Sequence, residues 1–100
     1  MRVIAHNTLV AFWTRHPEAR VPLRFWEDAV KAADWQTMQQ VMDGLSGAKS
    51  LNGERARFAV AGGNYRLIAA FNFKHGIAYV KFIGTHEEYD RVDALTVDQF

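Results

Sequence analysis

The chain has 100 residues, 49% of them hydrophobic and 23% charged, and no cysteine. That composition describes a folded globular protein and excludes a disulfide scaffold or a thiolate metal centre. Twelve Lys and Arg against eleven Asp and Glu leave a formal charge of +1, which by itself argues for no polyanionic partner.

At this length one domain over residues 1–100 is expected. No apolar run nears the ~18 residues of a membrane span. The opening Met1-Arg2-Val3-Ile4-Ala5-His6-Asn7 does not read as a signal peptide, so the expected location is the cytoplasm, with no membrane partner.

In chain order, Val3 and Ile4 give a short apolar start that can form a strand. Asn7 can cap a helix with Leu9, Phe12 and Trp13 on one face, ending before Pro17. Pro22 suits the first turn of a second helix, in which Leu23, Trp26, Val30 and Ala33 recur at three- and four-residue spacing. The short link through Arg20 and Val21 predicts an antiparallel helical hairpin. From Thr37 to Glu54 the pattern weakens. Thr37 with Gln40 can cap a short helix, while Gly44, Ser46, Gly47, Asn52 and Gly53 read as loop.

The period then switches to that of strands. Residues 55–61, 64–74 and 77–84 are rich in Phe, Tyr, Val and Ile, and Gly62-Gly63 and His75-Gly76 separate them as two-residue hairpin signals. Thr85 and Glu88 have capping-box spacing for a short last helix. The expected fold class is α+β: an N-terminal helical hairpin packed on a three- to four-stranded antiparallel sheet, with a short C-terminal helix.

The charges are sorted along this frame. Residues 1–54 hold six bases and six acids, residues 55–86 hold five bases and no acid, and residues 87–100 hold one base and five acids. Tight turns at both glycine pairs would set Ala59 opposite Arg66, Arg57 opposite Ile68, Lys74 opposite Ile77, Ala70 opposite Lys81 and Arg66 opposite Thr85. Opposed side chains share a face. Arg55, Arg57, Arg66, Lys74 and Lys81 then all fall on one face with Asn64, Asn72, Tyr79, Ile68 and Ile83. The core face receives Phe58, Val60, Tyr65, Leu67, Phe71, Phe73, Val80 and Phe82. A half-buried sheet puts charges on its wet face in any case, but nothing in that rule makes them all one sign. A face of one positive sign points to a polyanion.

Lys81-Phe82-Ile83-Gly84-Thr85-His86-Glu87-Glu88-Tyr89-Asp90, preceded by Tyr65-Arg66-Leu67, resembles the HigB-type toxins of the RelE superfamily. The likeness extends to Met1-Arg2-Val3-Ile4, Phe12-Trp13, His16-Pro17 and Ala33-Asp34-Trp35, and so to nearly the whole chain. It departs at Phe58-Ala59-Val60, where members often carry Phe-Asn-Ile, and at Gly63 and Asn64, where they often carry an Asn and a Lys. The resemblance implies a RelE-like fold and the toxin of a type II toxin–antitoxin pair. Such a toxin is a ribosome-dependent mRNA endoribonuclease (mRNA interferase) that inhibits translation. Its implied partners are mRNA in the ribosomal A site and a HigA-type helix-turn-helix antitoxin. A non-catalytic toxin or binding module on the same scaffold, inhibiting a topoisomerase or holding RNA, is the alternative.

Metal-independent cleavage by the neighbouring 2′-hydroxyl needs a base, positive charge for the phosphorane-like transition state, and an acid for the 5′-oxygen. No cofactor or metal is expected. His86 is the natural titrating group, and Tyr89, three residues on, can donate a proton or stack on a base. Arg66 offers a bidentate guanidinium to the scissile phosphate, with Arg57 diagonal to it and Lys81 further along. The expected catalytic set is thus His86, Tyr89, Arg66, Lys81 and Arg57, and Arg55, Lys74, Asn64 and Asn72 would hold RNA. His86 and Asp90 have the spacing of two metal ligands but lack a third. The plainer readings stand beside these: His86 bonding the loop above the sheet, and Tyr89 sealing the last helix to it.

Overall fold

A computed structural model describes residues 1–100. The helix-period pattern of the first half forms α1 (His6–Arg15), a 3-10 turn at Pro17–Ala19, and α2 (Arg20–Ala32). α1 begins one residue before the expected cap. Ala5 occupies the N-cap without a side-chain hydrogen bond, so Asn7 lies inside the helix. His6 instead reaches across the hairpin, its Nδ1 2.9 Å from the buried carboxylate of Glu27 on α2. The link between the helices is the Pro17–Ala19 turn; Arg20 and Val21 already belong to α2. Pro22 stays in the first turn of α2, where its missing N–H leaves no bond unmade. Thr37 caps α3 (Met38–Gly44) by accepting from the backbone N–H of Gln40 at 3.2 Å.

Five strands make one mixed sheet in the order β1-β5-β4-β3-β2. They are β1 (Arg2–Ile4), β2 (Ala48–Ser50), β3 (Arg55–Val60), β4 (Tyr65–Asn72) and β5 (Ile77–Thr85). β1 runs parallel to β5, whereas the three long strands form the expected antiparallel meander. β2, expected as loop, pairs with β3 through three residues, too few to carry a readable alternation among Gly44, Ser46 and Gly47.

The first hairpin keeps the expected register, with Ala59 opposite Arg66 and Arg57 opposite Ile68. The second does not. Asn72 accepts from the backbone N–H of His75 at 3.1 Å, so the side-chain turn begins two residues earlier and Phe73 to Gly76 all become loop. Asn72 therefore faces Ile77, and Ala70 faces Tyr79 rather than Lys81. Beyond this, the ladder slips once more: Ala69 pairs with Val80 but Ile68 with Phe82, leaving Lys81 as the extra residue of a β-bulge. A one-residue slip exchanges the faces of everything after it. Ile83, expected on the basic face, joins the core, and Phe82, expected in the core, lies on the basic face. Arg66 consequently faces Gly84, not Thr85. Lys74 is corrected too, from a strand position to the exposed turn.

Core formation follows from the remaining alternation. Leu9 and Phe12 of α1, Leu23, Trp26 and Val30 of α2, and Val41 of α3 pack against Phe58, Val60, Tyr65, Leu67, Phe71, Val80 and Ile83. Trp26 meets Phe58 edge-on at 5.5 Å, and Trp35 meets Phe71 at 6.1 Å. Each such side chain contributes roughly 1.5–3 kcal/mol by leaving water. The helices cover one face of the sheet, and the face that carries Arg57 and Arg66 is left to α4 (His86–Asp90) and the segment after it.

Candidate nucleic-acid interface

The β3–β4 turn sets the geometry of the basic face. Gly63 has φ +95°, a conformation that favours glycine, and a Cβ there would crowd Nη1 of Arg66 at 3.3 Å. Arg66 Nη1 donates to the Gly63 carbonyl at 2.5 Å and to its neighbour Tyr65 at 3.3 Å. The next residue, Asn64, accepts from the backbone N–H of His86 at 3.2 Å. One turn thus holds the Arg66 guanidinium and the first residue of α4 together.

α4 starts where the sequence places it. Thr85 accepts from Glu88 N–H at 3.1 Å, and Glu88 accepts from Thr85 N–H at 2.8 Å. The hydrogen bond from the Thr85 backbone holds the Glu88 carboxyl below its ordinary value; burial opposes it, and the Thr85 hydroxyl, His16 and Arg15 add to the lowering. A carboxylate depressed in the folded state stabilises above its unfolded pKa and stops doing so as pH falls through the folded one. Glu88→Gln keeps the reciprocal hydrogen bond and removes the charge. The variant should melt below wild type at neutral pH, and the gap should close as pH falls through and below the ordinary carboxylate range. Paired thermal melts across pH check this; a constant gap would refute the charge as its source.

Above α4's seat, Gly84 is buried, and a Cβ on it would lie 2.6 Å from the Phe82 ring. Its absence lets Phe82 lie along the face, where Tyr89 packs over it with ring centroids 6.2 Å apart. Tyr89 is half-buried by that contact, which fits the sealing role as well as a chemical one. His86 is exposed, with Nδ1 3.5 Å from the Asp90 carboxylate. No group of three His, Asp or Glu side chains stands close enough to hold a metal ion.

Arg57 and Arg66 are diagonal neighbours across β3 and β4, a separation of about 7–8 Å. Neither pairs with an acid within 4.0 Å, and the buried Nε–H of each donates to nothing. Two desolvated guanidinium donors without partners are costly unless an oxyanion completes them. Lys49 of β2 stands opposite Arg57 and adds an exposed cation that the sequence reading missed; its strand was too short to announce itself.

The remaining expected residues are dispersed. Arg55 sits at the start of β3 and donates to the carbonyls of Ala94 at 3.2 Å and Val97 at 2.8 Å. Lys81 lies 3.4 Å from Asp98 and 5.4 Å from the centre of the Tyr79 ring. Asn72 spends its amide oxygen on the His75 turn, and Lys74 stands beyond the strands. The structure therefore gathers Arg57, Arg66, Asn64, His86 and Tyr89, and separates from them Arg55, Lys81, Asn72 and Lys74.

Two surface depressions lie elsewhere. An apolar groove of about 370 Å³ runs between α2 and β3 past Phe25 and Trp26. A second, about 390 Å³, opens beside Glu54, Asn72 and Tyr79.

A family model described as HigB_toxin, RelE-like toxic component of a toxin-antitoxin system, matches residues 19–92. The chain belongs to this toxin family. The α+β architecture agrees with it, though the N-terminal helical hairpin fits only loosely. Comparison with curated proteins gives no match. As the toxin of a toxin–antitoxin system, the protein has a cognate antitoxin as partner. No helix of the toxin is long and apolar enough to cross a membrane.

Proposed function

We propose that this toxin is an mRNA interferase, cutting mRNA on the ribosome without a metal ion and so stopping translation. The observation that carries the reading is the pair of guanidinium groups without an acid partner, Arg57 and Arg66, on an acid-free stretch of sheet beside His86. In the reaction the 2′-hydroxyl attacks the adjacent phosphorus, its proton passes to a base, and the bond to the 5′-oxygen breaks as that oxygen takes a proton. A 2′,3′-cyclic phosphate and a free 5′-hydroxyl result.

Arg66 and Arg57 supply charge-assisted hydrogen bonds where negative charge accumulates on the phosphoryl oxygens. The exposed imidazole of His86 and the phenol of Tyr89 are the proton-transfer groups within reach of that charge. Asn64, at the turn, contacts RNA near the cut. Arg55, Lys81, Lys74 and Asn72 hold the strand further along the face, where they add binding and salt dependence rather than chemistry. That division departs from the sequence reading, which placed Lys81 among the catalytic groups. The antitoxin is of the HigA type, and the site of action is the cytoplasm.

Induced expression with primer extension on cellular mRNA tests the reading. Wild type should arrest growth and yield cuts at codon-phased positions. His86→Ala should reduce cutting about 10²-fold or more, and Tyr89→Phe by about tenfold, as expected for lost proton transfer. Growth arrest with intact mRNA would favour the non-catalytic alternative, and normal cutting by His86→Ala would remove His86 from the chemistry.

A further inference from the structure

Both acids of the segment after α4, Asp93 and Asp98, are engaged. Asp93 closes a turn, accepting from the backbone N–H groups of Thr96 at 3.1 Å and Val97 at 2.8 Å and, through its carboxylate, from Leu95 at 3.0 Å. That turn presents the carbonyls of Ala94 and Val97 to one guanidinium nitrogen of Arg55. Asp98 follows at 3.4 Å from Lys81 Nζ. Gln99 then fastens the end. Its N–H donates to the Lys81 carbonyl at 2.9 Å, and its side-chain oxygen accepts from Ile83 N–H at 3.0 Å. β1 ends opposite Tyr79, so beyond that point β5 has no strand on its outer side, and Gln99 occupies the open edge.

The segment thus touches β3 at one end and β5 at the other, and crosses the intervening β4. Its contacts run from Arg55 at the start of β3 to Lys81 and Ile83 of β5. Every group it offers to the two cations is an oxygen: two carbonyls and a carboxylate. These are the contacts that phosphate oxygens make with Arg and Lys.

We infer that residues 93–99 form an autoinhibitory strap, an internal stand-in for RNA backbone that holds Arg55 and Lys81 until a polyanion displaces it. This rests on the reading of the basic face as an RNA seat. Strapped, the face offers Arg57 and Arg66; released, it also offers Arg55 and Lys81, and a longer stretch of backbone is held. The strap's ion pair is its weakest link. An exposed pair such as Lys81–Asp98, with the Asp98 side chain 56% exposed, is screened by salt and easily exchanged for a phosphate.

Two full-length variants weaken the strap without touching the sheet. Gln99→Pro removes both the N–H and the side-chain acceptor, and Asp98→Asn removes the charge. Binding of a fluorescein-labelled single-stranded RNA oligonucleotide of mixed sequence is measured by anisotropy at several salt concentrations. Arg57→Ala and Arg66→Ala serve as the control, and circular dichroism shows that each variant is folded.

The combined strap variant should bind about fivefold tighter at low salt, with a log–log salt slope steeper by about 1. In wild type, hydrogen exchange at the Ile83 amide should accelerate when RNA is added. Unchanged affinity in the strap variant, while Arg57→Ala and Arg66→Ala weaken binding, would overturn the strap and leave the RNA seat standing. Weaker binding would also overturn it, by making the segment part of the site. No effect of Arg57→Ala or Arg66→Ala would overturn the RNA seat itself, and the strap with it.

Discussion

Arg66→Ala should lower mRNA cleavage about 10²- to 10³-fold, the loss typical of one preorganised donor to a developing oxyanion. Its guanidinium is fixed before any substrate arrives. Gly63 gives it room, two backbone carbonyls orient Nη1, and burial strips water from an Nε–H that has no partner. A guanidinium already oriented needs little reorganisation when charge builds on the phosphate. Arg66→Lys keeps the charge but not the planar fork, and should recover only part of the loss. Arg66→Ala also gives up the Nη1 bonds to Gly63 and Tyr65, so some stability should be lost with the activity. Primer extension against a common message, with a melting curve for each variant, separates the two effects. Cutting at the wild-type rate by Arg66→Ala would show that the phosphate is held elsewhere.

The sequence carried the strand-and-helix frame because its signals were local. Thr37, Thr85 and Glu88 act within one helical turn, and their caps stand where the spacing put them. The first hairpin was legible for the same reason: a glycine pair sets one register, and Ala59 meets Arg66 as counted. The second hairpin held two competing turn signals, and the Asn72 side chain prevailed over His75-Gly76. The bulge at Lys81 has no marker of its own, since it depends on how β5 sits against β4 and the core. The candidate site inherited that difference. Arg57, Arg66 and the start of α4 depend on the first hairpin and the cap, and they came together. Lys81, Lys74 and Asn72 depend on the second hairpin and did not. The cover on Arg55 was beyond local reasoning altogether, because it joins residues 39 and 42 positions apart.

Ile83→Asp should abolish cooperative folding. In the bulged sheet Ile83 is 3% exposed and belongs to the core with Leu67 opposite it and the helical layer beneath. An isolated carboxylate there must lose its hydration or carry a proton, at a cost of several kcal/mol. The lost apolar contacts add about 2–4 kcal/mol more. Small domains have roughly 5–15 kcal/mol of stability in total, so the sum consumes most of it. Ile83→Val, which removes one methylene from the same place, should cost only about 1 kcal/mol and lower the melting temperature by about 4–8 °C. The pair of variants reads the register directly. Without the bulge, residue 83 would share a face with Arg57 and Arg66, where an aspartate gains two cationic neighbours and is tolerated. A folded, cooperatively melting Ile83→Asp protein would therefore show that β5 runs straight past Lys81. It would return Ile83 to the basic face and Phe82 to the core, and with Phe82 would go the surface on which Tyr89 rests.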